Sequence, residues 1–330
     1  MKVPGLIYQG KSSQHDQMNT PKVYIVILNY LQWQDTKECL ESVLKSSYNN
    51  FSVIIIDNNS RNNSLEYLTD PAMNKAIEAT NYRIYSREML TSPVNWQDLP
   101  LLTFIQNDIN AGFAGGNNIV LRLLANLDAY VWLLNPDMTI RKDTLSELVN
   151  FSAHKIPDCV IGAEVRSYSG NQEPLFYGGG KVNFLSGTVR LVKKREAIHR
   201  LDYISGGCLF THAANFKKYG VLPENYFLYW EETDWCFRAK QQGVELLVCL
   251  SAVCYDKVST VIGKGFLANY YYSRNGLLFI SKFKKRNMPI ALFAMTFRLF
   301  KRIITGQWGR ARGVFKGTID FLKKKFNAAK

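Results

Sequence analysis

The patterned part of the chain begins at residue 22, where short apolar runs start to alternate with segments of helical period. The runs KVYIVIL, FSVIII, LLTFIQ and YVWLL are apolar at odd and even positions alike, which is typical of strands buried on both faces of a parallel sheet. Between them, residues 36–46, 62–69 and 115–127 carry apolar side chains at helical spacing. This alternation predicts an α/β fold, with a mainly parallel sheet covered by helices on both faces.

The pattern is less regular in the rest of the chain. Residues 70–100 look like an insertion or a long loop. Gly243 stands where a helix would end in a left-handed cap. Beyond residue 140 the pattern predicts helices at 143–153, 213–219 and 234–243, a strand at 159–165 and a hairpin at 175–192.

Size and cysteine usage fit a folded protein of the cytosol. The 330 residues are 47% hydrophobic, enough for a substantial core. The six cysteines are scattered without a CxxC pair, which favours reduced, buried thiols. We divide the chain into a flexible leader (1–21), a main domain (22–273, with halves 22–140 and 141–273) and a helical tail (274–330).

The positive charge of the chain is confined to that tail. The formal net charge is +14, and from Arg274 onward there are 15 lysines and arginines and a single acid, Asp320. The longest uncharged run of the tail, residues 287–297, is 11 residues long, whereas a spanning helix needs about 20. Basic amphipathic helices on an anionic membrane surface fit this pattern. A solvated helical cap is the alternative, and nucleic-acid binding lacks any accompanying motif.

Polar residues follow the predicted strands at their carboxyl ends. One such cluster is ordinary turn chemistry, but several around one edge of a parallel sheet predict a ligand site. The clusters are Asn29, Asp57-Asn58-Asn59, Asn107-Asp108 and Asn135-Pro136-Asp137.

A second polar cluster lies in the stretch YFLYWEETDWCFRAK. Capping of a helix explains one of its acids, Glu231, Glu232 and Asp234, but not two adjacent glutamates. Aromatic side chains surround these acids, and aromatic planes beside carboxylates are typical of sugar-binding sites. The aromatic residues are Tyr226, Tyr229, Trp230 and Trp235.

The motifs LNY, DNNS, NAGFAGGNN, LNPD, SGG, ENYFLYWEETDWCFRAKQQG and YDKVSTVIGKG occur in this order between Val23 and Asn275. In this order they resemble family 2 glycosyltransferases, above all the bacterial rhamnosyltransferase-like enzymes that build surface polysaccharides such as O-antigen. The resemblance implies a GT-A fold, in which a Rossmann-like sheet binds a nucleotide sugar.

The resemblance also implies a role for each matching residue. Glu232 would be the catalytic base, supported by Glu231, and Asp137 would stand in the DxD position as a metal ligand. Relatives often carry a histidine where this chain has Asp256, so Asp256 would either replace it as an oxygen ligand or hold the metal weakly. Donor contacts would come from Asn29, Tyr30, Asp57, Asn59, Gly112, Gly115, Asn118, Asn135 and Asp137, and acceptor contacts from Gly206, Gly207, Tyr229, Trp230 and Asp234.

The implied function is an inverting, metal-dependent transfer of a sugar to a glycan or lipid-linked acceptor. The donor would be a dTDP-, UDP- or GDP-sugar, with rhamnose as a candidate sugar, and the cofactor would be Mg²⁺ or Mn²⁺. The protein would work at the inner face of the cell membrane without binding nucleic acid. A catalytically silent protein that binds nucleotide sugars or acts as a membrane-surface scaffold is the alternative.

Overall fold

A computed structural model describes residues 20–327, except 79, 92–94, 154, 156–157 and 258–264, and the side chains up to residue 323. The predicted leader lies almost wholly outside the described residues, as does most of the motif VSTVIGKG. The described chain forms a ten-stranded sheet, a separate three-stranded sheet and helices on both faces of the larger one.

Five parallel strands form the N-terminal half of the large sheet. They are β1 (Val23–Asn29), β2 (Phe51–Asp57), β3 (Tyr82–Ser86), β4 (Leu102–Gln106) and β5 (Tyr130–Leu134). The connecting helices are α1 (Trp33–Leu44), α2 (Ser64–Thr69) and α3 (Gly112–Leu124). The strand order is β3-β4-β2-β1-β5. Parallel pairing aligns Asn29 with Asp57, and Asp57 with Gln106. The polar strand ends therefore meet at one edge, as predicted.

The second half of the chain continues the same sheet and adds the small one. Its elements are β6 (Met138–Ile140), α4 (Thr144–Ala153), β7 (Cys159–Ser167), β8 (Pro174–Tyr177), β9 (Gly179–Asn183), β10 (Thr188–Leu191), β11 (Tyr203–Ile204), β12 (Cys208–His212), α5 (Ala214–Tyr219), α6 (Glu231–Gln241) and β13 (Glu245–Asp256). The large sheet proceeds β5-β12-β7-β13-β6, with β8 on β7, while β10-β9-β11 form the small sheet. The antiparallel β12 joins the two halves of the large sheet.

Both faces of the large sheet are buried. Along β1, Val23, Ile25 and Ile27 belong to one apolar cluster, and Tyr24 and Val26 to the other. Alternate residues of one strand thus supply two cores, which explains why the strands read as continuous apolar runs.

Three helices complete the chain: α7 (Phe266–Phe283), α8 (Met288–Ile304) and α9 (Trp308–Asn327). The inner face of α7 is fully buried at Leu277, Phe279 and Ile280. Helices α7 and α9 approach closely at Gly313 and Gly317 of α9. A Cβ on either glycine would lie 2.4 Å from a backbone oxygen of α7. Helix α7 crosses residue 274, where we drew a domain boundary. Among the described helices, none is long and apolar enough to span a membrane.

The structure corrects three local predictions. Residues 70–100 contain β3, which pairs in parallel with β4 at the edge of the sheet. Helix α3 begins at Gly112, three residues before the predicted start at residue 115, so the glycine-rich segment 112–118 forms its first half. Helix α6 begins at Glu231, three residues before the predicted start, and ends before Gly243, whose φ of +94° confirms the predicted left-handed cap.

Candidate active site

The carboxylate of Asp57 lies at the end of β2, in a network of hydrogen bonds. It accepts from Asn29 Nδ2 (2.6 Å), from the Ser60 backbone and hydroxyl (3.0 and 2.5 Å) and from Gln106 Nε2 (3.0 Å). These donors come from β1, β4 and the DNNS turn, so three separate segments fix one carboxylate. Asn59, in the left-handed region with a φ of 59°, donates to the Asp108 carbonyl.

An open cavity adjoins this carboxylate. Its volume is ≈ 500 Å³, and its lining residues, most of them polar, come from the strand ends, the turn after β2 and the start of α2. The lining includes Asp57, Asn59, Arg61, Gln106, Asn107 and Asp108. Its position beyond the carboxyl ends of the strands is where nucleotides bind in open α/β sheets.

Asn58 ties this region to the start of α3. Its side chain is 2% exposed and donates to Asn110 Oδ1 (3.0 Å) and the Gly112 carbonyl (3.1 Å). Its oxygen accepts from Asn107 Nδ2 and from the Ala111 backbone. Beyond Gly112, the Phe113 backbone donates to the carbonyl of Phe227. The strand edge is thus connected to the loop that precedes the acidic cluster.

We expect Gly112→Ala to destabilise the protein strongly. A Cβ there would lie 2.1 Å from the Phe227 carbonyl oxygen, and the φ of +72° disfavours any L side chain. Gly170 is a matched control, because its φ is +70° but no atom lies within 4 Å of its added Cβ. The control should cost about 1 kcal/mol in the free energy of unfolding, and Gly112→Ala at least about 2 kcal/mol more. Chemical denaturation measures both, and equal losses would contradict the argument.

Gly206 and Gly207 lie between the first turn of α6 and the turn after β5. A Cβ on Gly206 would lie 3.4 Å from the Cβ of Glu232 and 3.1 Å from the Phe113 ring. A Cβ on Gly207 would lie 2.9 Å from Asn135 Nδ2, and the Gly207 carbonyl accepts from the Asn135 backbone (2.9 Å). The two glycines therefore bring α6 close to the turn after β5.

The loop before Glu231 has a strained backbone. Phe227, Tyr229 and Trp230 have φ values of 69°, 63° and 80°, and each such residue costs on the order of 1 kcal/mol or more. Helix α7 holds this loop in place: the Asn275 amide lies within 3.0 Å of the carbonyls of 226, 228 and 229, and Arg274 donates to those of 225 and 226. Strain of this kind is typical of functional sites.

Glu231 and Glu232 occupy the first turn of α6. Glu231 is 1% exposed, and its Oε2 has no hydrogen-bond partner among the described residues. Burial, followed by repulsion from Glu232, raises the pKa of Glu231 well above its usual range. Glu232 is half-buried, and burial raises its pKa to about 7. A carboxylate with that pKa can take a proton near neutral pH.

Asp137 and Asp256 lie at the ends of neighbouring strands. The pairing of β6 with β13 places Asp256 opposite Met138, the residue after Asp137. The Lys257 backbone donates to the Asp137 carbonyl (3.1 Å). Burial raises the pKa of the Cys39 thiol, and the nearby Asp137 carboxylate adds to that rise. Among the described residues, no group of three or more His, Cys, Asp or Glu is arranged to hold a metal.

Several predicted acceptor contacts need correction. Asp234 is 0% exposed, and its carboxylate accepts from Tyr226, Arg238 and Lys282. Its carboxylate therefore lies in the protein interior, and it does not cap α6. The aromatic rings of Tyr226, Trp230 and Trp235 are at most 2% exposed. Of the four predicted aromatic residues, Tyr229 alone remains partly accessible.

Three predicted donor contacts also lie in the scaffold. Asn29 is 0% exposed and uses its amide on Asp57, Ser60 and Thr36. Asn118 is 0% exposed and bonds the backbone of Leu222 and the side chain of Glu224. Gly115 is buried inside α3, where a Cβ would lie 2.8 Å from that of Ala111. All three residues are thus buried and packed against neighbouring segments.

The sequence interpretation also missed residues that organise the site. Asn58 was treated as part of a polar strand end, although its side chain connects the turn after β2 to the start of α3. Arg274 and Asn275 marked only the end of the resemblance, although they hold the loop before Glu231. Their position at the end of the region that resembles family 2 glycosyltransferases could have indicated a role for them.

The sequence profile described as "Glycosyl transferase family 2" matches residues 23–88. The hexosyltransferase Agl10 of low-salt glycan biosynthesis, from Haloferax volcanii, is 28% identical over 159 residues, which are 44% of this chain and 48% of that protein. The rhamnosyltransferase WbbL of Escherichia coli is 25% identical over 150 residues, 41% of this chain and 56% of that protein. The match thus spans about half the length of these curated relatives.

A solved structure agrees over almost the whole chain. The mannosyltransferase PcManGT from Pyrobaculum calidifontis, in complex with GDP-Man and Mn²⁺, superposes with a TM-score of 0.52 at 13% identity. The superposition covers 93% of this chain and 89% of that one. At this identity the likeness bears on the fold, which is GT-A in both proteins.

Proposed function

We propose that this chain, whose residues 23–88 match the glycosyl transferase family 2 profile, is an inverting, metal-dependent glycosyltransferase. It moves a sugar from a nucleotide-sugar donor to a hydroxyl of a glycan or lipid-linked acceptor. The observation that carries the proposal is the position of Glu232. Its carboxyl group has a pKa of about 7. Glu232 lies next to Gly206, and the following residue, Gly207, lies next to Asn135 in the turn that also contains Asp137.

The donor nucleotide occupies the polar cavity beyond β2. The oriented carboxylate of Asp57 and the amide of Asn59 bind the base and ribose, with Tyr30 beside them at the end of β1. Asn135 and Asp137 lie towards the diphosphate. The structure of the similar mannosyltransferase PcManGT contains GDP-Man, and dTDP, UDP and GDP are the candidate nucleotides for this chain.

Asp137 and Asp256 fit a divalent cation. Two carboxylates at the ends of paired strands are hard oxygen ligands, and Mg²⁺ or Mn²⁺ bound by one or two carboxylates takes its remaining oxygens from water and phosphate. When bound there, such a cation would neutralise the developing charge of the diphosphate leaving group. Mn²⁺ is present in the neighbouring structure. In this chain Asp256 would replace the histidine that relatives often carry.

Glu232 acts as the general base. The acceptor oxygen forms a bond to the anomeric carbon while the bond from that carbon to the diphosphate breaks, and the hydroxyl proton passes to Glu232. Attack from the face opposite the leaving group inverts the anomeric centre. Glu231, which is buried beside Glu232 with its pKa raised by burial and by that neighbour, positions the base. Gly206, Gly207 and Tyr229 line the acceptor side.

The biological acceptor is a growing cell-surface polysaccharide. The names of the matched relatives refer to glycan biosynthesis and rhamnosyl transfer, and rhamnose is one candidate sugar for this chain. A lipid-linked acceptor places the enzyme at the inner face of the cell membrane, where anionic lipids attract its basic tail.

A thermal-shift panel of nucleotide sugars with Mn²⁺ or Mg²⁺ tests this function and identifies the donor. A ligand at 100 times its Kd stabilises the folded state by about 2.7 kcal/mol, or about 5 °C in Tm. We expect one donor to give this shift only with a divalent cation and then to be consumed when acceptor is added. Binding without consumption would favour a silent nucleotide-sugar-binding protein. No shift with any donor would contradict the proposal.

A further inference from the structure

Helix α8 is apolar on two opposite sides. Its inner side buries Met288, Ala291 and Met295 against the rest of the protein. Its outer side carries large apolar residues that are 50% to 83% exposed: Ile290, Phe293, Phe297, Phe300 and Ile304. A helix on the surface of a globular protein normally has a polar outer face. The outer side of α8 therefore lacks the partner that its composition requires.

These five residues form one stripe along the helix. Their spacing alternates between three and four positions, which keeps them on the same side at 3.6 residues per turn. We call them the α8 stripe. Phe293 is 74% exposed, and Trp308, 64% exposed, opens α9 just after the end of α8. Contiguous exposed aromatic residues of this kind mark an interaction surface.

Exposed cations accompany the stripe. Lys284, Lys285 and Arg286 precede α8, and Lys301 lies within its last two turns. The only acid from Arg274 to the end of the sequence is Asp320. It is paired with Lys316 and accepts from Tyr270. The tail therefore contains no second acid that could neutralise these cations.

We infer that the α8 stripe inserts into the headgroup layer of an anionic lipid bilayer, with α8 lying parallel to the membrane plane. Phenylalanines facing the acyl chains and lysines facing the phosphates are the arrangement that interfacial helices use. At 17 residues, α8 is about 26 Å long, too short and too basic to span. A second copy of this chain would bring two basic tails together, and their repulsion disfavours a dimer through this face.

The stripe is tied to the candidate active site by α7. Arg298 of α8 stacks on the ring of Tyr272, 4.4 Å from its centroid, and bonds Asn269 (3.4 Å). Tyr272 and Asn269 belong to the same helix as Asn275, which holds the loop before Glu231. Membrane insertion of the stripe would therefore fix the orientation of the site relative to the bilayer. This last step rests on the proposed function.

Vesicle binding tests the inference. The test variant is Phe293→Ser/Phe297→Ser/Phe300→Ser, and the control is Ile84→Ser/Leu185→Ser, which removes apolar side chains that are 47% and 53% exposed elsewhere. We expect the wild type and the control to co-sediment with phosphatidylglycerol-containing vesicles, less so at high salt and weakly with phosphatidylcholine alone. The triple variant should lose about ten-fold or more of its partition coefficient. All three proteins should unfold at similar temperatures.

Two results would overturn the inference. One is a folded triple variant that binds anionic vesicles as well as the wild type does. The other is a wild type that binds no vesicles and forms a dimer that the triple variant does not form. Neither donor nor acceptor enters this assay. A protein that binds vesicles but transfers no sugar therefore contradicts the proposed function alone, and one that transfers sugar without binding vesicles contradicts this inference alone.

Discussion

Glu232→Gln should lower the rate of sugar transfer by about a thousand-fold while the protein stays folded. A positioned general base contributes about 10² to 10⁴ to a rate, and glutamine keeps the shape of the side chain without its basicity. Donor binding should persist, because the cavity proposed for the donor nucleotide is lined by other residues, among them Asp57 and Asn59, and not by Glu232. Transfer assays and donor-induced thermal shifts measure the two effects separately. Wild-type transfer by this variant would remove the assignment.

The pH profile distinguishes loss of the base from a general structural defect. Because burial raises the pKa of Glu232 to about 7, the reactive carboxylate is the minor form below that pH. The kcat/KM of the wild type should rise with pH up to about 7 and then level off. Glu232→Gln should lack this rising limb.

The same pKa fixes the sign of the effect on stability. A carboxyl group whose folded pKa is raised above 4.5 contributes stability when protonated, and that contribution is lost as the pH rises through about 7. Glu232→Gln should therefore be at least as stable as the wild type at pH 8. A large drop in Tm at that pH would indicate damage to the fold.

Glu231→Gln is the matched comparison. Glu231 has a pKa well above its usual range and is buried, so a glutamine resembles its protonated form. We expect a smaller loss of transfer than for Glu232→Gln. Equal losses would contradict the assignment of the base to Glu232 alone.

The polar strand ends were predictable because the sheet follows a simple rule. β1, β2, β4 and β5 are apolar on both faces, and parallel strands place their carboxyl ends together. The sequence therefore located Asp57 and Asp137 at one edge. It could not show that Asn29 is consumed in orienting Asp57, because that depends on contacts between side chains of three segments.

The start of α6 was not predictable from local sequence. Trp230 adopts a φ of 80°, a conformation that a tryptophan rarely takes. It is maintained by the Asn275 amide, which reaches the loop from a helix some 45 positions further along the chain. Local pattern placed the start at Asp234 and left the two glutamates outside the helix. Tertiary contacts bring both into its first turn, where burial raises their pKa values.

The tail shows a different limit of sequence reasoning. Its composition correctly predicted a helical segment. It could not show which apolar residues would be buried, because α8 is apolar on two sides. Packing decides the matter: Phe279 of α7 is buried against Trp230 and Phe237, whereas Phe293 and Phe297 of α8 face outward.

Asp137→Asn should abolish the divalent-cation dependence of donor binding and lower transfer by about a thousand-fold. A Lewis-acid cation contributes several kcal/mol to stabilisation of the leaving group, and an amide is a poor substitute for an anionic ligand. The first readout is the thermal shift with Mn²⁺ and nucleotide sugar together, which needs no turnover. Asp143→Asn is the control, since Asp143 lies six residues away in an exposed pair with Arg141.

Variants of Asp256 test the second proposed metal ligand with the same thermal-shift measurement. It lies on the strand paired with β6, so Asp256→Asn should weaken the Mn²⁺-dependent shift. Asp256→His, which places a nitrogen ligand at the same position, should retain the shift, because an imidazole also binds Mn²⁺. The proposed metal site is wrong if Asp137→Asn and Asp256→Asn both keep the full Mn²⁺-dependent thermal shift, as the control Asp143→Asn should. In that case the cation is not held at the ends of β6 and β13.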